Sequence, residues 1–318
     1  MGRRAPVAVL TGFLGSGKTT LLSSLLEHPS MGETAVIVNE LGEIAIDHHL
    51  VRKVDERTVV LPSGCVCCSL RGDLADELRD LLERREQGEL APFRRVVVET
   101  TGLAEPAPIL ATLLSEPALK HRFRPEVVVT TVDAVHGSRT LDRHEVSIRQ
   151  AAAADRIVVT KPDLVETEDV DALVRRLREL NPTASVVAAS FGDVAPRALF
   201  AGPGKKRAAA AARPIEPNGD HGGVHAVTVI LDRPLDWTGF GIWLTMLLQA
   251  RGADILRVKG LVDTGGSGPV VLNGVQHAVH PPIHLDAWPD GDRRSRLVFI
   301  ARGVERDELE ASLAAFAA

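Results

Sequence analysis

The chain has 318 residues, a length that fits about two domains with a core each. Apolar residues make up 45% and charged residues 25%, which is ordinary for a folded protein and excludes both wholesale disorder and a disulfide-stapled miniprotein. Lys and Arg total 37 against 42 Asp and Glu, and neither half of the chain carries a basic excess. The charge therefore predicts no binding to nucleic acid and no polybasic contact with a membrane.

Short apolar runs alternate with longer helical patterns up to about residue 190, which predicts βαβ units and a doubly wound, mainly parallel sheet. We therefore predict an α/β domain over residues 1–190, with helices on both faces of its sheet. The predicted strands are Val7–Leu10, Thr34–Val38, Thr58–Leu61, Val96–Val98, Val127–Val132, Arg156–Val159 and Ser185–Val187. The residues at helical spacing between them are Leu74, Leu78, Leu81 and Leu82, and then Leu173, Val174, Leu177 and Leu180.

The remainder of the chain changes in character. Gly, Pro, Ala and basic residues dominate 191–223, a composition that predicts a linker. A second pattern follows over 224–318, with predicted strands and helices in mixed order, and it indicates a smaller α+β domain. The strands are Val224–Leu231, Ile255–Val262, Val270–Leu272 and Leu297–Ala301, and the helices are Gly239–Gln249 and Arg306–Phe316.

The segment from Gly12 to Thr19 reads GFLGSGKT and matches the phosphate-loop pattern G-x-x-x-x-G-K-[ST], between a predicted strand and an apolar helix. Its glycines allow backbone N–H groups to approach phosphate oxygens, and the helix N-terminus adds partial positive charge. We expect Lys18 to bridge the β and γ phosphates and Thr19 to offer its hydroxyl to Mg²⁺. A simple glycine turn is the alternative. The predicted nucleotide-binding residues here are Gly12, Gly15, Ser16, Gly17, Lys18, Thr19 and Thr20.

A second motif, Thr160-Lys161-Pro162-Asp163, directly follows a predicted strand. The Asp163 carboxylate can accept hydrogen bonds from guanine N1–H and the 2-amino group, whereas adenine presents an acceptor at N1. The Lys161 stem would cover the face of the purine. The motif therefore favours GTP and GDP, and the alternative is a solvated turn.

The predicted strand before Glu99 ends in that acid, and Gly102 follows three residues later. We expect Glu99 to act on Mg²⁺ through a water or to orient the attacking water, and the Gly102 N–H to sense the γ-phosphate. The alternative is that a threonine here caps the next helix. Lys18, Thr19 and Glu99 are thus the predicted catalytic residues, and Thr19 with Glu99 is the predicted Mg²⁺ site.

All the cysteines of the sequence, Cys65, Cys67 and Cys68, lie in one predicted loop. With no distant cysteine for a structural disulfide, we expect reduced thiols and a cytoplasmic protein. The C-x-C-C spacing is too tight for the paired knuckles of a structural zinc site, so it favours an open, exchangeable site for Zn²⁺, with Co²⁺ and Cu(I) chemically possible. Packing as buried free cysteine is the alternative.

Together these motifs resemble the CobW and nitrile-hydratase-activator family of P-loop GTPase metallochaperones. The segments that carry the resemblance are the phosphate loop Thr11–Thr20, switch I at Asn39–Asp47, the metal motif Gly64–Cys68, switch II at Glu99–Pro106 and the guanine motif Thr160–Asp163. The region from Val224 to the end resembles the family's C-terminal domain, with Leu256–Gly260 and Gly274–Gln276 as its marks. Nearly the whole chain is covered.

The resemblance implies a GTPase that binds Zn²⁺ or Co²⁺ at the cysteine motif, with help from switch I, and delivers the metal to a client metalloprotein. The sequence departs from the family at two positions. Thr160 stands where many GTPases have Asn, and Val38 stands where some relatives carry a carboxylate. The second departure leaves Glu43 as the nearer acidic candidate ligand.

Two other functions share part of this pattern. A P-loop kinase would have the phosphate loop, but it favours ATP and leaves the cysteines unexplained. A GTP-dependent activator of one metalloenzyme could use the nucleotide state without carrying metal itself. We therefore predict a GTP-dependent metallochaperone that could form a homo-oligomer. Its histidines at 277, 280 and 284 fit surface or client contact.

Overall fold

The computed structural model describes residues 4–38, 58–60, 70–200 and 222–316. The Cα atoms fall into two compact units, one of residues 1–174 and 186–202 and the other of residues 175–185 and 203–318. No helix within the described ranges is long and apolar enough to cross a membrane.

The first unit is built on a seven-stranded sheet in the order β3-β2-β4-β1-β5-β6-β7. Each pairing from β3 through to β6 is parallel. This order confirms the predicted doubly wound α/β fold. The strands are β1 (Ala5–Gly12), β2 (Thr34–Val38), β3 (Thr58–Val60), β4 (Arg95–Glu99), β5 (Phe123–Asp133), β6 (Arg156–Thr160) and β7 (Ser185–Ala189).

Helices cover both faces of this sheet. Successive residues of a strand point to opposite sides, so a strand that is apolar throughout contributes to a core on each face. Val7 of β1 lies in one apolar cluster with leucines of α2, while Ala8 and Leu10 lie in another with leucines of α1. With both faces covered, a ligand can bind at the loops that follow the carboxyl ends of the strands. The helices are α1 (Lys18–Glu27), α2 (Leu70–Glu86), α3 (Pro106–Ser115), α4 (Gly137–Arg143), α5 (Glu145–Ala153), α6 (Thr167–Leu180) and α7 (Pro196–Phe200).

The structure differs from the predicted linker at its N-terminal end. Helix α7 lies inside 191–223, and its Leu199 and Phe200 are buried in the same apolar cluster as α1. Folded chain therefore continues to residue 200, because two large apolar side chains outweigh a composition that otherwise resembles a linker. Residues 201–221 lie outside the described part of the chain.

The second unit contains an antiparallel sheet in the order β11-β10-β9-β13-β8, with β12 paired to β10. Two helices accompany it, and the Trp243 indole meets the Phe299 ring edge-on at 6.2 Å in the shared core. The α+β prediction is confirmed. The elements are β8 (Val224–Leu231), α8 (Trp237–Arg251), β9 (Ile255–Val262), β10 (Val270–Val275), β11 (Ala278–Val279), β12 (Ile283–His284), β13 (Ser295–Arg302) and α9 (Arg306–Ala314).

Candidate nucleotide site

The phosphate loop joins the end of β1 to the start of α1. Gly12, Gly15 and Gly17 have φ values of 142°, 71° and 86°, a backbone region that residues with a side chain rarely adopt. At Gly12 the space is also closed, since a Cβ there would lie 2.3 Å from Thr131 Oγ1 and 2.7 Å from Ser16 Oγ. The glycines of the motif are therefore required by the shape of the loop.

The two residues after Gly17 carry an ammonium group and a hydroxyl group. Lys18 Nζ donates to the carbonyls of Gly12, at 3.0 Å, and Phe13, at 3.2 Å, which holds the ammonium over the loop. Thr19 Oγ1 donates to Glu99 Oε1 at 2.8 Å, and Glu99 is 3% exposed. A hydroxyl and a carboxylate are hard oxygen donors of the kind that Mg²⁺ prefers, so this pair fits that ion. Thr20 is the second residue of α1 after Lys18.

The segment after Glu99 is fastened to the phosphate loop. Thr100 N donates to Leu10 O at 2.9 Å, and Thr100 Oγ1 donates to Thr11 Oγ1 at 3.0 Å. A Cβ on Gly102 would lie 2.6 Å from Leu14 N and 2.7 Å from Leu14 Cα. Only glycine allows this approach, so switch II and the phosphate loop are in direct contact.

Gln150 is a residue of this site that the sequence analysis did not identify. Its side chain is 1% exposed, and its Nε2 donates to Gly102 O at 3.2 Å and Ala104 O at 2.9 Å. Helix α5 thereby holds the backbone of switch II. The available signal was a single amide directly before four alanines.

The guanine motif also reaches the phosphate loop. Thr160 Oγ1 donates to Ser16 O at 2.8 Å, so the threonine that replaces the usual Asn itself tethers the loop. Lys161 has φ 56°, and its Nζ donates to Gly15 O at 2.8 Å. Asp163 lies exposed in the short 3₁₀ turn Pro162–Leu164.

Two further residues stand at this edge without having been predicted. Asp133, at the end of β5, accepts from Lys161 Nζ at 2.5 Å and from Val135 N at 2.7 Å. Phe191 follows β7 with φ 52° and is 79% exposed. Because β7 is next to β6, the Phe191 ring is presented on the edge of the sheet that carries the guanine motif.

The predicted transition-metal ligands, Cys65, Cys67, Cys68 and Glu43, lie outside the described residues, as does switch I at Asn39–Asp47. Within the described residues no group of three or more His, Cys, Asp or Glu could hold a metal ion. The structure does describe the backbone of strand β2, which leads into switch I, and of strand β3, which leads into the cysteine segment.

Those strands end side by side. Val38, the last residue of β2, is paired with Glu99 of β4 on one side and with Val60 of β3 on the other. Neighbouring strands are about 4.8 Å apart, so the backbone at Val60 is about 10 Å from the backbone at Glu99. The chain continues from Val38 into switch I, and it reaches Cys65 five residues after Val60.

Comparison with known proteins agrees with this architecture. Residues 6–188 match the family model described as CobW/HypB/UreG, nucleotide-binding domain, and residues 224–317 match the cobalamin synthesis protein cobW C-terminal domain. The zinc chaperone YjiA of Escherichia coli K12 is 32% identical over 97% of this chain and 98% of its own length. The zinc chaperone CobW of a Sinorhizobium species is 28% identical over 93% of this chain and 92% of its own.

Solved structures give the same result. The Zn(II)-bound YjiA GTPase from E. coli covers 99% of both chains with a TM-score of 0.72 at 28% identity. A Zn(II)-bound triple mutant of YjiA covers 100% of both chains with a TM-score of 0.75 at 27% identity. The two family models together span most of the sequence, and the chain therefore belongs to the CobW family and is a P-loop GTPase.

Proposed function

We propose that this GTPase is a zinc chaperone, which holds Zn²⁺ at Cys65, Cys67 and Cys68 and passes it to a client metalloprotein under the control of GTP and Mg²⁺. The observation that carries the proposal is the alignment of three strand ends, Val60, Val38 and Glu99, at one edge of the sheet. It puts the entry to the cysteine segment two strands away from the Mg²⁺-binding acid. The zinc chaperones YjiA and CobW, similar over nearly their whole length, support the choice of metal.

The phosphate loop and its neighbours supply the GTPase chemistry. Bound Mg²⁺ would neutralise charge that develops on the β and γ phosphates. Thr19 would ligate that ion directly, and the buried Glu99 would hold one of its waters or orient the attacking water. Lys18 would exchange its present carbonyl partners for phosphate oxygens, a stronger charge-assisted interaction.

The guanine motif supplies base selection. Asp163 would accept from N1–H and the 2-amino group of guanine, while Lys161, fixed to Gly15 O, would lay its stem along the purine. The exposed Phe191 ring would offer a second apolar surface to the base. This arrangement selects GTP and GDP over adenine nucleotides.

Hydrolysis by the isolated chain should be slow, below ~1 s⁻¹, as in unassisted GTPases. The residue after Gly102 is Leu103, so no glutamine side chain is available there to position the attacking water. No arginine occurs within the phosphate loop from Gly12 to Thr19. We propose that the client, or a second copy of the chain, completes the site, which would tie hydrolysis to delivery.

The metal site is proposed to combine the thiolates with a group from switch I, for which Glu43 is the candidate. Zn²⁺ suits thiolate ligands, and Co²⁺ would occupy the same site. Free thiols are needed for this role, so we place the protein in the reducing cytoplasm. When γ-phosphate and Mg²⁺ order switch I and switch II, the cysteine segment between them in the chain would be drawn together.

The test is a competition titration of Zn²⁺ with the full-length protein in two states, loaded with Mg²⁺ and either GDP or a non-hydrolysable GTP analogue. A typical allosteric coupling of about 1–3 kcal/mol predicts a roughly 5- to 150-fold tighter Zn²⁺ affinity in the GTP state. By linkage, Zn²⁺ must tighten the GTP analogue over GDP by the same factor. Co²⁺ gives a visible check, because its thiolate charge-transfer band should report the cysteines.

The Cys67→Ser and Cys65→Ser variants should lose that band and the coupling while still binding GTP. Equal Zn²⁺ affinities in the two nucleotide states would overturn the chaperone proposal. The chain would then be a GTPase with an incidental thiol site, or an activator that does not carry metal.

A further inference from the structure

A cavity of about 480 Å³ lies on the side of the phosphate loop that faces helices α4 and α5. It is lined by the loop from Phe13 to Ser16, by the end of β5 and by the two helices. Gly15, Ser16 and Lys161 of the proposed nucleotide site line this cavity, whereas Lys18, Thr19 and Asp163 do not. A cavity of this volume is in the usual range for sites that enclose a small organic molecule.

The lining of the cavity carries excess positive charge. Arg139 and Arg143, one turn apart on α4, both line it, and so do Lys161 and Asp133. The Lys161 ammonium is 2.5 Å from Asp133 Oδ2, so that pair is internally neutralised. The two guanidinium groups remain, and they favour an anion, since arginine pairs well with carboxylate, sulfonate and phosphate oxygens.

A flat apolar surface lies in the same cavity. The Phe13 ring is stacked on the His144 imidazole, with centroids 4.5 Å apart and planes 25° apart. Leu14 and Leu141 also line the space. Aromatic rings and aliphatic walls in this arrangement suit a planar aromatic group.

The side-chain oxygen of Gln150, a residue that lines the cavity, is a buried hydrogen-bond acceptor without a donor. Both donor contacts of Gln150 Nε2 go to carbonyls of switch II, which fixes the amide orientation and directs Oε1 elsewhere. Gln150 Oε1 is buried and has no hydrogen-bond partner within the part of the chain that the structure describes. The neighbouring hydroxyls are satisfied, because Ser16 Oγ pairs with Thr131 Oγ1 at 2.6 Å and Ser147 Oγ donates to His144 O at 2.7 Å. Less than 1 Å² of this oxygen is accessible, so the Gln150 amide forms a buried part of the cavity wall and offers a ligand no hydrogen-bond acceptor.

We propose that this cavity binds a small planar aromatic anion. The anionic group pairs with Arg139 and Arg143, and the ring packs against Phe13 and His144. Because Gln150 lines the cavity and holds Gly102 O and Ala104 O, the bound molecule lies next to the residue that positions switch II. The site is therefore placed to modulate the GTPase from a cavity that borders the proposed nucleotide site at Gly15, Ser16 and Lys161.

The test uses two probes that differ only in charge, with the full-length protein loaded with Mg²⁺ and GDP so that the phosphate loop is filled. The anion is 2-anilinonaphthalene-6-sulfonate and its neutral counterpart is N-phenyl-2-naphthylamine, each with one N–H donor. Fluorescence titration should give one saturable site with at least about tenfold higher affinity for the sulfonate, the ratio expected from one added charge-assisted contact. Excess GDP should leave the bound sulfonate in place.

The double variant R139Q/R143Q should lose that preference, while affinity for the neutral probe and unstimulated GTP hydrolysis stay unchanged. The matched control is R175Q/R178Q on α6, which removes the same charge from exposed positions outside the lining and should retain the preference. The proposal is overturned if the sulfonate shows no saturable binding, if GDP displaces it, or if the two double variants behave alike.

Discussion

The two units of the molecule differ in the polar groups that they bury. At the carboxyl edge of the first sheet the buried groups are mostly hydroxyls, and they link loops, as with Thr160 Oγ1 to Ser16 O and Thr100 Oγ1 to Thr11 Oγ1. In the second unit a full charge is buried, since the Arg296 side chain is 4% exposed and donates two hydrogen bonds, of 3.0 and 2.9 Å, to the Asp290 carboxylate.

The two units therefore differ in the source of the charge at their buried polar sites. Neutral hydroxyls and backbone groups hold a shape at low cost and leave the charge to be supplied by a phosphate or a metal ion. The Arg296–Asp290 pair has both of its charges within the fold. It closes the 290–294 loop onto strand β13.

The sharpest test of the first half of this comparison is Glu99→Gln, which keeps the shape and removes the one buried carboxylate next to Thr19. We expect GTP hydrolysis to fall about 100- to 1,000-fold, equivalent to about 2.7–4 kcal/mol, as for the loss of one positioned electrostatic group. Lys18→Ala should give a comparable loss. Phosphate release under single-turnover conditions measures both, with Glu168→Gln on the exposed face of α6 as the control. A Glu99→Gln rate close to that of the wild type would remove the carboxylate from the mechanism.

The second half is tested by Asp290→Ala, which leaves a buried guanidinium without its main partner. We expect the free energy of unfolding of the second unit to fall by about 3 kcal/mol. Denaturation followed by tryptophan emission reports this unit alone, since Trp237, Trp243 and Trp288 all lie in it and the chain has three tryptophans. Asp232→Ala is the control, because its ion pair to Arg294 is long, 3.8 Å, and 84% exposed on the Asp side. That control should lose less than about 1 kcal/mol, and equal losses would mean that burial of the pair is unimportant.

A smaller effect, on nucleotide affinity, is expected from Asp163→Asn. Here the protein supplies the carboxylate, and its proposed partner is the guanine base of the ligand. Losing the carboxylate should weaken GTP about 10- to 100-fold, the range for hydrogen bonds to a charged group. Xanthosine triphosphate should gain affinity, because its C2 oxygen accepts from the new amide. Equilibrium titration with fluorescent analogues of both nucleotides measures this change in preference from guanine to xanthine. Equal affinity of the wild-type protein for ATP and GTP would contradict the guanine assignment.

Sequence patterns located the strands of both units well. Val224–Leu231 and Ile255–Val262 have the predicted bounds, because apolar and β-branched residues predominate in each. The fifth strand begins at Phe123 rather than Val127, since Pro125 is tolerated next to an irregularity in its register with β1. The helices α4 and α5 were not predicted, because each is under ten residues and neither carries a full apolar repeat.

Within the site, the sequence pattern predicted which residues bind phosphate and could not predict which residues support them. The glycines, Lys18 and Thr19 belong to a motif with a fixed spacing. Gln150 acts on switch II from 48 residues away, and Asp133 acts on Lys161 from 28 residues away. Contacts of that kind depend on how strands and helices are arranged in space, which a local pattern does not encode.

The smallest expected effect is the pH dependence of the second unit. Hydrogen bonds from the side chain and then the backbone of Arg294 lower the pKa of Asp292 from 3.8 to about 2, and a hydrogen bond from Arg296 lowers the pKa of Asp290. A lowered pKa in the folded state means that the stabilisation is complete above about pH 4 and is lost as the pH falls towards 2. Tryptophan-monitored unfolding between pH 5 and pH 2 should therefore show falling stability. Asp292→Asn should flatten the slope and Asp232→Asn should not, while an unchanged slope in Asp292→Asn would assign the acid sensitivity elsewhere.

The close contact between Gly102 and Leu14 suggests a variant that could be used to isolate a binding partner. A methyl group at Gly102 would lie 2.6 Å from backbone atoms of Leu14, which cannot yield as a flexible side chain could. Gly102→Ala would therefore keep switch II away from the phosphate loop while leaving Lys18 and Thr19 in place. Under the proposed function, a variant halted at this step would stay on its client and would not complete the cycle. Immobilised on a resin, such a variant would serve as bait for isolating the client metalloprotein from cell extract.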